Sequence, residues 1–444
     1  MRQPNRSHRA TSTDVHIQRP ILRWIAQRFL LWLLLWIVVL LIRFEGPFPN
    51  KLDTHLDRIL ISERFDFVVW ETNALLQKLG QALITPQRYM DDASRQAFVL
   101  HYLDLVAEIQ RLDREIDRVY TDPNVVDPDA VTAEKRATLA ALRQEEDYRQ
   151  PVVESIIEEQ VASVLTSEGF DTLGSPQPPV ASHFTPLPLL LVVSPRDRIE
   201  RIYSLSLRHG LDAAQIEAIE KDLDGSFSIS SLVTPIGGLS AYPAMLLESS
   251  SLEWITEVSA HEWTHHYLAF RPLGLNYDTS SEARTINETV ASIVGKEVGR
   301  AVIARYYPEL LPPEPEPTPE SSVEEPVEIE EQPTFDFRAE MRRTRVEVDR
   351  LLAEGLITEA EVYMEERRQK FIANGYWIRK LNQAYFAFHG AYADEPGAAG
   401  EDPVGPAVQT YRSISPDLAS FVRDLARITT LEELQTLIAQ SAMD

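Results

Sequence analysis

The chain has 444 residues, no cysteine and a net charge of −25 at neutral pH. That length can bury a sizeable core in two or three units, and the missing cysteines exclude disulfide frameworks, thiolate metal sites and cysteine nucleophiles. So acidic a body repels phosphate backbones and anionic headgroups, which excludes a nucleic-acid role.

The charge is uneven along the chain. Six arginines against Asp14 make residues 1–28 basic, leaving about −30 on the remainder. Residues 1–20 read as a basic cytoplasmic tail. Phe29 to Ile42 carries no charged group, and Arg28 and Arg43 can snorkel at its ends. Residues 21–45 are therefore expected to form a transmembrane signal anchor, giving a single-pass membrane protein with its body outside the cytoplasm. A cleaved signal peptide is the competitor, although Arg43-Phe44-Glu45-Gly46-Pro47 offers no small-residue cleavage site.

Residues 46–180 read as a helical region. Phe98, Tyr102, Leu105, Ile109, Leu112, Ile116 and Val119 recur at spacings of four and three, the seam of a helical hairpin. Asp122-Pro123-Asn124 ends that stripe, and Ala133 to Gln160 resumes a charged helical pattern. Residues 181–308 hold the few strand signals. Leu189 to Val193 is a short apolar run between prolines, and Leu232 to Leu247 reads as strands around the Gly237-Gly238 turn. A helix follows from about Leu252 to Ala269, with Ser250 and Glu253 fitting a capping box and Pro272-Leu273-Gly274 beyond its end. A second helix runs from Glu282 to about Tyr307. Residues 309–334, rich in proline and glutamate, should be a disordered acidic loop. Within 335–444, an amphipathic helix from Glu340 to Tyr376, broken at Gly355, precedes an aromatic segment from Tyr376 to Tyr392, and Leu418 to Ile438 packs as helix. The pattern predicts a mainly α chain with a small β-sheet.

Inside the first of the two central helices, His261-Glu262-Trp263-Thr264-His265 has the form HExxH. Positions i and i+4 project from one helical face, so the two imidazoles can grip one Zn²⁺. Glu262 then flanks the open coordination position, where it can take a proton from water. His266 points about 100° away and is expected to support the ligands or to pack rather than bind the metal. The longer metzincin pattern fails, because Leu268 and Arg271 replace its glycine and third histidine.

On the second helix, Asn287-Glu288-Thr289-Val290-Ala291 lies far enough on for the two helices to run side by side. The pair of motifs resembles the gluzincin metallopeptidases. The resemblance implies a zincin-like catalytic core with helical extensions, Zn²⁺ held by His261, His265 and Glu288, and Glu262 as general base. It also implies that Asn287 orients the site and that Ala291 lets the helices approach. Ser292 departs from the aspartate common in that family, and Glu282 and Asp278 are rival third ligands. Zincins set an edge strand beside this helix, a part that the stretch from Gly237 to Leu247 would play, with a plain core strand as the alternative. Leu381-Asn382-Gln383-Ala384 with Tyr392 is distantly similar to a C-terminal segment of bacterial predicted aminopeptidases. It implies that the aromatic segment returns to the cleft, with Tyr392 or His389 stabilising the oxyanion. Residues 335–444 would then complete the cleft. The expectation is a membrane-anchored zinc peptidase acting on peptides or proteins; a non-catalytic tethered scaffold with a structural zinc is the other reading.

Overall fold

The computed structural model describes residue 56 and residues 60–171, 174–311, 335–395 and 397–441. The chain divides into two compact units, residues 1–62 and 63–444, and the second holds everything that follows.

Helix α1 spans Phe67–Ile84, capped by the Asp66 carboxylate on the Val69 amide. Helices α2 (Asp92–Thr121) and α3 (Pro128–Leu165) form the expected hairpin. Tyr102, Leu105, Ile109, Leu112 and Ile116 of the stripe are buried, while Phe98 and Val119 flank them half-buried. Asp127 caps α3 after the Asp122-Pro123 break. The strands then come in a cluster: β1 (Ser182–Phe184), β2 (Leu189–Pro195), β3 (Tyr203–Leu207), helix α4 (Ala213–Ser226), β4 (Ile229–Pro235), β5 (Gly238–Leu239) and β6 (Ala244–Leu246). They make two three-stranded sheets. One is antiparallel with order β3-β2-β4, and the other, ordered β1-β6-β5, pairs β6 parallel to β1 and antiparallel to β5. The chain is thus mainly α with a small β component, in two sheets rather than one.

Helix α5 (Leu252–Leu268) is followed by the short α6 (Pro272–Leu275) and by α7 (Ser281–Tyr306). The N-cap of α5 is Ser251, whose hydroxyl accepts from the Trp254 amide; the expected Ser250 lies one residue too early, because the first helical residue is Leu252. Beyond residue 334 come α8 (Phe337–Ala353), α9 (Ile357–Ala373), α10 (Gln383–His389), α11 (Val404–Ile414), α12 (Leu418–Leu425) and α13 (Leu431–Ser441). Gly355, at φ +77°, makes the break between α8 and α9, a left-handed turn that glycine adopts without steric cost. Asn382 caps α10 and also donates to the Ser231 carbonyl, so it fastens the aromatic segment to β4.

The main core is shared by α2, α3, α5, α7, α11 and α12. Helix α7 is buried almost throughout, from Ala283 to Ile303. It crosses α5 at glycines: a Cβ on Gly295 would stand 2.8 Å from the Glu257 carbonyl oxygen, and one on Gly299 would stand 2.9 Å from the Glu257 nitrogen. No side chain fits there, so the two backbones approach more closely than Ala291 alone would allow. Because Gly299 meets Glu257 while Glu288 reaches His265, the helices run antiparallel.

The expected single-pass membrane placement is corrected. No helix among the described residues is long and apolar enough to cross a membrane. The longest, α2 and α3, carry charges along their length, such as Asp104, Glu108 and Arg111 on α2. Hydrocarbon would not accept these. The segment 21–45 lies outside the described residues, as do the basic tail and most of the acidic loop at 309–334.

Candidate metal centre

Helix periodicity brings His261 and His265 to one face of α5, with their Nε2 atoms 3.1 Å apart. The antiparallel crossing of α7 brings Glu288 opposite them. Its Oε2 lies 3.5 Å from each histidine Nε2. A tetrahedral ion with bonds of about 2.0–2.1 Å spaces its donors about 3.3–3.4 Å apart, so three sides of 3.1, 3.5 and 3.5 Å match one face of that tetrahedron. Glu288 is buried, and its Oε2 has no hydrogen-bond partner. A carboxylate oxygen orphaned in the interior is costly, and a cation among these donors would satisfy it.

The supporting contacts fix the donors. Asn287 Oδ1 accepts from Nδ1 of His265 at 2.8 Å, which leaves the Nε2 lone pair of the neutral ring free for a metal. The other Glu288 oxygen, Oε1, accepts from the Tyr277 hydroxyl. His266 bonds the Ala241 carbonyl at 2.6 Å and tethers the β5–β6 turn to α5. The rivals for third ligand are employed elsewhere. Glu282 accepts from the Leu431 amide at the start of α13, and Asp278, 72 % exposed at its side chain, pairs with Arg201.

Electrostatics follow from burial and mutual proximity. Burial alone would lower His265, but Glu288 outweighs it and lifts the imidazole to about 9. Burial would raise Glu288, and the two histidines instead hold it well below the usual carboxylate range. Glu262 is pushed up, first by burial and further by Glu288, against the pull of both histidines. Strand β5 passes directly over it: a Cβ on Gly238 would stand 2.3 Å from Glu262 Oε1. The strand at this position forms the edge of its sheet.

Of the two aromatic-segment candidates, only Tyr392 meets the cluster. Its ring stacks on His261 with centroids 6.2 Å apart. Desolvation of its hydroxyl end and the charges of Glu288 and Glu262 raise its phenol well above the ordinary value, so it stays protonated, although the residue as a whole is partly exposed. His389 instead lies tilted against the Tyr385 ring and edge-on to Phe388. Burial depresses it to about 4, and with Tyr392 it lines a cavity of about 420 Å³. Sequence reasoning missed Tyr277, the one aromatic residue in the polar loop between α6 and α7. It also missed Arg201 and Arg284, whose guanidinium carbons lie 5.1 and 5.7 Å from the Tyr277 ring centroid.

No family model, no curated protein and no solved structure matches this chain.

Proposed function

We propose that this protein is a zinc-dependent metallopeptidase that binds its ion through His261, His265 and Glu288. The observation that carries the reading is the donor triangle, in which a buried, orphaned carboxylate oxygen faces two half-buried imidazole nitrogens, with a raised carboxyl, Glu262, beside it. Zinc bound there would supply Lewis-acid polarisation of a carbonyl and acidification of a water. The protein's own groups have separate tasks. Glu262, whose carboxyl is raised by burial, accepts a proton from the attacking water and passes it to the leaving amine. Tyr392, protonated and stacked on His261, donates to the oxygen on which charge develops. The free edge of β5 offers main-chain groups to an extended peptide lying across Glu262.

A purely structural ion would need no Glu262. Zinc content of the full-length protein and of His265→Ala tests the centre: one zinc per chain, lost in the variant, is expected. Glu262→Gln should keep the zinc and lose hydrolysis of a mixed peptide panel by about 10²-fold or more. Equal hydrolysis by that variant would sink the mechanism.

A further inference from the structure

Two cationic side chains sit beneath the surface beside the donor triangle, and the protein supplies them with too little negative charge. Arg284, in the first turn of α7, is buried at 6 % exposure, and its Nε has no hydrogen-bond partner. A cation in the first turn also opposes the helix dipole, which favours negative charge there. Arg201, from the segment before β3, has a side chain only 9 % exposed and packs on the same Tyr277 ring. The two guanidiniums repel one another. That repulsion, added to burial, depresses Arg284 to about 10.

The acids facing Arg284 are Asp278 and Glu288. Glu288 is committed to Tyr277 and the two histidines. Asp278 is a solvated surface group bonded to Arg201 at 3.0 Å, and it reaches Arg284 only through its main-chain oxygen at 3.4 Å. Buried charges are normally paired, so the pair is one anion short. A fork of guanidinium donors matches a carboxylate bidentately.

We infer that Arg201 and Arg284 form a subsite for a substrate carboxylate, either the C-terminal carboxylate of a peptide or an acidic side chain near the scissile bond. The inference rests on the peptidase reading. Tyr277 is the spacer, with its hydroxyl on Glu288 and both guanidiniums against its ring. An anion held there lies within about two or three extended residues, ~3.3 Å each, of the donor triangle. That distance suits removal of one or two residues from a C-terminus.

The test uses full-length, zinc-loaded protein carrying Glu262→Gln, so that binding is read without turnover. Calorimetry compares N-acetyl-tetra-alanine as the free acid, the same peptide as its C-terminal amide, and an amide whose last residue is aspartate. The subsite predicts at least tenfold tighter binding of one carboxylate-bearing peptide than of the plain amide. Preference for the free acid identifies the C-terminus as the source, and preference for the aspartyl amide identifies the side chain. Arg201→Met and Arg284→Met should erase that preference with zinc affinity intact. Asp278→Asn, at an exposed position, removes the competing carboxylate and should tighten the favoured peptide several-fold. Equal binding of all three peptides, or an unchanged affinity in Asp278→Asn, overturns the inference. Zinc is assayed in the same samples: a carboxylate preference in protein that takes up no zinc would refute the peptidase reading and leave the subsite standing.

Discussion

Gly295→Ala tests whether the close crossing of α5 and α7 builds the metal centre. The new Cβ would stand 2.8 Å from the Glu257 carbonyl oxygen, 3.2 Å from His261 Cβ and 3.4 Å from Glu257 Cγ. Carbon atoms prefer separations of about 3.5–4.0 Å, so the helices must part by roughly half an ångström. Overpacking of this kind costs about 1–3 kcal/mol, and the better helix propensity of alanine returns about 1 kcal/mol. The net loss of stability is therefore small, on the order of 0–2 kcal/mol. The proposed metal centre is less forgiving, because ligand distances tolerate only about 0.2 Å and the clash bears directly on His261. Zinc affinity should fall by about 10–100-fold, the scale seen when the groups supporting metal ligands are disturbed. Zinc titration and thermal unfolding of the same sample measure both quantities. Gly80→Ala in α1 is the control, since nothing lies within 4 Å of its added Cβ. It should gain about 0.5–1 kcal/mol and leave zinc binding unchanged. If Gly295→Ala gains stability like Gly80→Ala and binds zinc as tightly as wild type, the crossing does not set the site.

Tyr277→Phe removes the donor to Glu288 Oε1 and should weaken zinc about 10–100-fold in a direct titration; unchanged affinity would make the tyrosine a packing residue only. Gly238→Ala drives a Cβ into the Glu262 carboxylate, the movable end of a flexible side chain. The fold and zinc content should survive, while peptide hydrolysis falls on the order of 10²-fold, the cost of a misplacement near 1 Å. For pH, the sign follows from His265, whose folded value of about 9 lies above the ordinary 6.5. In the metal-free protein its stabilising contribution is full below about 6.5 and is lost as pH rises through about 9. Denaturant unfolding of the metal-free chain should therefore weaken over that window. Zinc bound as proposed would displace the same proton, so its affinity should climb roughly tenfold per unit between pH 6 and 8; a flat profile would contradict the coupling of His265 to Glu288.

What could be read from the residues was whatever chain-local rules determine. The α2–α3 hairpin announced itself because its apolar stripe keeps a helical period up to Asp122-Pro123, and α8 and α9 part at Gly355 because only glycine turns left-handed freely there. His261 and His265 share a face through helix geometry alone. The cap of α5 slipped by one residue because Ser249, Ser250 and Ser251 offer the same hydroxyl, and tertiary packing chooses among them. The expected anchor rested on fourteen uncharged residues, fewer than the twenty or so of a full span. Local rules do not choose between Glu282, Glu288 and Asp278, because the choice is made at long range. Glu282 is claimed by an amide 149 residues away on α13, and Asp278 by Arg201, 77 residues away.

The same contrast explains why Gly295 and Gly299 went unread. Periodicity arguments search for side chains that fill space, whereas this crossing depends on two positions that leave it empty. Without them α7 would stand farther from α5, Glu288 would not reach within 3.5 Å of both imidazoles, and two well-placed histidines would face a gap. Arg201, Tyr277 and Arg284 depend on that crossing too, since they come from a strand lead-in, a loop and a helix start that meet only once α7 is docked. On the proposed reading, a motif on one helix would supply two ligands and a base, and the glycine contact would bring up the third ligand together with Tyr277, which bonds it. This is why the variant most informative about the site, Gly295→Ala, alters none of the residues that the motif names.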